Sequence, residues 1–123
     1  DLKASIEKMP NVSLDPNVDY LETFSQSDIL VSDFSSLIIE YYATNKPTLY
    51  CGDSAGFNSV GRAMDKGLYH INNAEELVST LEYLSCHKDK FFKYNKKVIQ
   101  RLIKRNGNIG EAVKNAILDT YIL

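Results

Sequence analysis

What the 123-residue sequence lacks removes several classes of function. No apolar run approaches the roughly 20 residues of a membrane-spanning helix, and no secretory leader is visible. The only cysteines, Cys51 and Cys86, lie far apart without metal-ligand spacing, and no Cys/His cluster or H-x-x-x-H pair surrounds His70 or His87. His70 falls inside a strand pattern and His87 at a polar helix junction, where lone histidines are usually packed or exposed. Cys51 closes an apparent strand, which favours a buried free thiol in a reducing compartment. Gly56 and Gly61 share the outer spacing of a P-loop, but Arg62-Ala63 stands where Lys and Ser/Thr are required. A formal charge of −2 gives no reason to expect nucleic acid, and no internal repeat or low-complexity tract is present.

What remains is ordinary globular composition, 44% apolar and 24% charged, suited to one domain with one core. Charge is unevenly divided: residues 1–60 carry three Lys/Arg against nine Asp/Glu, residues 61–123 eleven against seven. The chain opens on Asp rather than Met and at once in helical pattern, as expected of a domain cut from a longer protein. Leu2, Ile6 and Met9 have helical spacing and Pro10 ends them. Val12-Ser13-Leu14 is a short strand candidate, followed by the turn Asp15-Pro16-Asn17. A helix is expected over 18–26 with Tyr20, Leu21 and Phe24 inward. Residues 52–67, rich in glycine, read as a mobile loop with at most one helical turn. Leu68-Tyr69-His70-Ile71 reads as a strand, and Asn73 with Glu76 as a capping box opening a helix through Leu84. Helices over 88–105 and 109–122, separated by Asn106-Gly107-Asn108, complete the chain. Residues 1–87 form the α/β portion of a single partial domain and 88–123 its C-terminal helices. Alternating strands and helices imply a Rossmann-like parallel sheet flanked by helices.

The most informative stretch is 27–50. Ile29-Leu30-Val31 is an apolar run of the kind buried on both faces of a parallel sheet. Ser35 and Ser36 then fall where a helix begins, beside N–H groups lacking intrahelical partners, and Asn45 stops that helix before Lys46-Pro47 and the next strand. In an open α/β sheet this turn lies at the carboxyl ends of the strands, where ligands sit and where a helix start accepts phosphate.

Two serine hydroxyls with adjoining amides can donate to a diphosphate; either serine is also an ordinary helix cap. Glu40 lies about one turn further on, among Ile38, Ile39, Tyr41 and Tyr42. A carboxylate there needs a partner, and the vicinal hydroxyls of a ribose are one. The alternatives are a solvent-facing Glu or a pair with Lys46. Asp33 points toward the same crevice, as a turn-builder, a diphosphate contact or a base. Asp53 and Ser54 border it, as ligand contacts or generic loop. No residue is assigned to catalysis, and no metal or cofactor is expected. Lys88, Lys90, Lys93, Lys96, Lys97, Arg101, Lys104 and Arg105 surround an apolar stripe of Phe91, Phe92, Val98, Ile99, Leu102 and Ile103. Such a helix docks its stripe on its own domain, leaving a solvated basic face, or lies on an anionic membrane.

Asp28-Ile29-Leu30-Val31-Ser32-Asp33-Phe34-Ser35-Ser36 resembles the D-(apolar)₃-T/S-D-Y-S-S signature of the CDP-glycerol glycerophosphotransferases, the teichoic-acid and capsule polymer synthases, with Phe34 where Tyr is usual. Asn45-Lys46-Pro47-Thr48-Leu49-Tyr50 resembles their following strand, and Asn106-Gly107-Asn108 their C-terminal turn. The spacing from Glu40 to Lys46-Pro47 is similar to the wider GT-B pattern whose Glu binds the donor ribose. The resemblance covers most of residues 20–120. It implies the donor-binding C-terminal half of a GT-B transferase that moves glycerol phosphate from CDP-glycerol, or another nucleotide-activated donor, to a polymer acceptor. In that reading Ser35, Ser36 and Asp33 meet the diphosphate and Glu40 the ribose. The expected location is cytoplasmic, peripheral on the inner face of the plasma membrane. The family's His-Pro element and N-terminal half would precede Asp1, so the chain alone is expected to be inactive. The missing first strands should leave a sheet edge that pairs with a second copy or re-registers. Two other readings stand: a GT-B glycosyltransferase using a UDP- or GDP-sugar, and a non-catalytic interaction or membrane-docking module.

Overall fold

The computed structural model describes residues 1–33 and 35–106. The elements in chain order are α1 (Leu2–Glu7), α2 (Leu21–Gln26), β1 (Leu30–Ser32), α3 (Ser36–Tyr42), β2 (Thr48–Tyr50), α4 (Ser59–Asp65), β3 (Tyr69–His70), α5 (Ala74–Cys86) and α6 (Phe92–Asn106). Among the described residues three strands form one parallel sheet in the order β1-β2-β3, with Leu30 opposite Thr48 and Leu49 opposite Tyr69. This is a small α/β architecture of the Rossmann-like kind, a parallel sheet between helices.

β2 is central, and all of Thr48, Leu49 and Tyr50 are buried. Alternation along the strand sends Tyr50 to one face and Leu49 to the other. Tyr50 joins Ile38, Ile39 and Tyr42 of α3, Met64 of α4, Leu68 and Val98 of α6. Leu49 joins Tyr69 and Ile71, with Leu77 and Leu84 of α5 and Phe91 packed against them. Val98, Ile99 and Leu102 of the α6 stripe therefore pack on its own domain, whereas Phe92 and Ile103 stay exposed. Asn95 of α6 is buried; it accepts the Tyr42 hydroxyl proton at 2.5 Å and donates to the Gly67 carbonyl at 3.1 Å.

Several expectations are corrected. β1 is an edge strand, so Val31 is 45% exposed rather than covered on both faces. Residues 12–14 form no strand and are exposed; no strand among the described residues pairs with them. α2 starts at Leu21, because the Asp19 carboxylate accepts the Leu21 N–H at 3.0 Å, and Leu21 points outward at 63% exposure. Residues 52–67 hold α4, seven residues long, where at most one helical turn was expected: Asn58 caps it by accepting the Gly61 N–H at 2.9 Å, and Val60 and Met64 turn inward. α5 runs past Leu84 to Cys86, opened by Asn73, which accepts the Glu76 N–H at 2.8 Å; the Glu76 carboxylate returns to the Asn72 rather than the Asn73 N–H. α6 begins at Phe92, since Asp89 accepts the Phe91 N–H at 2.9 Å and the Tyr69 hydroxyl at 2.6 Å and so builds a turn before it. Cys51 lies just past β2 and is exposed, as is Cys86. The Gly107-Asn108 turn and the helix expected over 109–122 lie outside the described residues.

Candidate functional site

The three parallel strands end at one edge. The Cys51 N–H donates to the Ser32 carbonyl at 2.8 Å and the Ile71 N–H to the Tyr50 carbonyl at 2.9 Å, so the chain leaves each strand in register with its neighbour. Asp33, Ser35 and Ser36 follow β1 at this edge, and Asp53 and Ser54 follow β2. It is the carboxyl edge, where ligands of open α/β sheets bind.

Ser35 is extended, at φ −156° and ψ 148°, and caps α3: its Oγ accepts the Leu37 N–H at 3.2 Å. A hydroxyl that accepts keeps its own proton to donate, so the cap leaves that capacity intact. Ser36 opens the helix half-buried, and its hydroxyl has no partner among the described residues. Asp33 is exposed; its carbonyl accepts the Ser32 hydroxyl at 3.0 Å, while its carboxylate takes no backbone N–H among the described residues.

Glu40 is half-buried, and its Oε2 accepts the Tyr20 hydroxyl proton at 2.5 Å. That bond to a carboxylate, helped by desolvation, holds the Tyr20 phenol above its ordinary value. Lys46 is not its partner. The Lys46 Nζ donates to the carbonyls of Phe24 at 2.8 Å, Ser25 at 2.9 Å and Ser27 at 2.7 Å, so it caps the C-terminus of α2. α3 ends at Tyr42 with Ala43 as its C-cap, and Asn45, in the turn that follows, takes the left-handed region at φ 56°.

Asp53 is exposed and folds its own loop: its Oδ1 accepts the Ala55 N–H at 3.0 Å and its carbonyl the Tyr50 hydroxyl at 2.7 Å. Ser54 donates to Asp65 Oδ1 at 2.7 Å, and the same oxygen lies 3.0 Å from His70 Nε2. Here the carboxylate stands between hydroxyl and imidazole, so His70 does not reach the Ser54 Oγ as a base. The network instead ties the loop after β2 to the ends of α4 and β3. Tyr20, Asp65 and His70 were not legible as neighbours of the candidate residues, because each reaches its partner through the fold. Among the described residues no group of His, Cys, Asp and Glu is placed to hold a metal ion, and no helix is long and apolar enough to cross a membrane.

A family model described as CDP-Glycerol:Poly(glycerophosphate) glycerophosphotransferase matches residues 4–118. The chain belongs to that family. For a glycerophosphotransferase-family chain the implied chemistry is transfer from a nucleotide-activated donor to a polymer acceptor. No curated protein and no solved structure matches it. The match takes in every strand and the whole carboxyl edge, so the α3 turn and Glu40 both fall within the glycerophosphotransferase region.

Proposed function

We propose that this chain holds the CDP-glycerol donor of a glycerophosphotransferase, with the diphosphate at Ser35, Ser36 and Asp33 and the ribose at Glu40. The reading is carried by one juxtaposition: a helix opening on two serines at the carboxyl edge, with a half-buried carboxylate about one turn along it. An acceptor hydroxyl of a growing polymer attacks the β-phosphorus of CDP-glycerol, a new P–O bond forms as the hydroxyl proton is released to solvent, and the bond to CMP breaks with its electron pair leaving on CMP. Ser35 and Ser36 donate to the phosphate on which charge collects, and Asp53 and Ser54 rim the crevice. The polymer suggested by the sequence is a teichoic acid or capsular chain made at the inner face of the plasma membrane.

Calorimetric titration with CDP-glycerol tests this. Ser36→Ala removes a hydroxyl with no partner among the described residues, so it should weaken binding about tenfold with the unfolding midpoint unchanged. Unchanged affinity in this variant would remove the diphosphate assignment. Tighter binding of a UDP- or GDP-sugar than of CDP-glycerol would move the function to sugar transfer.

The exposed face of α6 favours one addition. Lys93, Lys96, Lys97, Arg101 and Lys104 lie outward, beside the exposed Phe92 and Ile103. This composition suits an anionic bilayer surface. Sedimentation with anionic vesicles, lost on Lys96→Glu with Lys97→Glu, is the expected result; sedimentation unaffected by those changes would oppose it.

A further inference from the structure

α2 carries no candidate residue of its own, yet its C-terminal end is held twice. Ser27 caps it just before β1, and Lys46, which precedes β2 at the same edge, takes its last carbonyls. The C-terminus of α2 therefore sits at the amino edge of the sheet. The helix leads back from there to its first turn, where the Tyr20 hydroxyl donates to Glu40 Oε2 of α3 at 2.5 Å. The Glu40 side chain tilts toward the N-terminus of its helix, and α3 starts at the carboxyl edge. Phe24 fixes the pair laterally, with ring centroids 5.0 Å from Tyr20 and 5.0 Å from Tyr41, while the Tyr41 hydroxyl lies 3.1 Å from Ser27 Oγ.

We infer that Tyr20 is a positioning and specificity residue of the nucleotide site, orienting Glu40 to read both hydroxyls of a ribose and so to discriminate ribonucleotides from 2′-deoxyribonucleotides. The inference rests on the assignment of Glu40 to the ribose. An ionised carboxylate has about four lone-pair sites, and the Tyr20 proton occupies one on Oε2. The remaining sites accept two vicinal hydroxyls without displacing Tyr20. Without that proton the carboxylate is free to turn about its terminal torsion, which has no strong rotamer preference.

The test is calorimetric titration of wild type, Tyr20→Phe and Glu40→Gln with CDP and with 2′-deoxy-CDP. Tyr20→Phe keeps the ring against Phe24 and removes only the hydroxyl. Wild type should prefer CDP; in Tyr20→Phe that preference should fall about fivefold, through weaker CDP binding, with 2′-deoxy-CDP affinity unchanged. Loss of preference in Glu40→Gln but not in Tyr20→Phe would overturn the role of Tyr20 and leave the ribose assignment standing. Equal weakening of both ligands in Tyr20→Phe would also overturn it, reducing Tyr20 to a structural residue. Unchanged preference in Glu40→Gln, or no binding of CDP by wild type, would remove the ribose assignment and this inference with it.

Discussion

Lys46 sends one ammonium group to three main-chain carbonyls that lie 19, 21 and 22 residues before it in sequence, and so completes the end of α2. Lys46→Met keeps the aliphatic stem and strips those bonds, and is expected to cost about 2 kcal/mol in urea unfolding. Gly67 is constrained differently: a Cβ there would lie 1.6 Å from Asn95 Oδ1, so Gly67→Ala forces the buried amide off its Tyr42 and Gly67 partners. A loss of about 3 kcal/mol is expected, and much less when Asn95→Ala is already present, because the clash is then gone. Ser35 and Glu40 were legible in the sequence because their signal is local, a cap and a carboxylate in an apolar run. The Tyr20–Glu40 and Lys46–α2 contacts were not, because both depend on how α2 packs beside α3.

α5 depends on its cap more than on its packing, for none of its residues is fully buried and Val78 and Leu81 are exposed. Asn73→Ala should lower stability by about 1 kcal/mol and reduce helical circular dichroism. This element was readable because Asn73 and Glu76 announce its start. α4 was hidden by the glycines of its surroundings; Asn58 as cap and the Val60–Met64 spacing were the available signals. The strand β1 was found, but its burial was not: an apolar triplet looks the same in a central strand and an edge strand, and only the order β1-β2-β3 exposes Val31.

Across the whole molecule, buried phenols make stability fall on the alkaline side. Burial first, then the nearby charges of Tyr94 and Asp89, pushes the Tyr42 phenol far above its ordinary value of 10.0; burial first, then Asp89, does the same for Tyr69. Folding thus holds these protons more tightly than the unfolded chain does. Their stabilisation is complete below the ordinary tyrosine value and is lost as pH rises above it. Urea midpoints should drop as pH rises from about 10 to about 12, and drop less in Tyr69→Phe. The architecture itself gathers the candidate residues, since parallel strands ending in register bring the loops after β1 and β2 to one edge. The most direct test of a donor site there is amide NMR of the chain during titration with CDP, then UDP and ADP. The account predicts shifts centred on Ser35, Ser36 and Glu40, largest with CDP; shifts elsewhere, or none with any of the three, would contradict it.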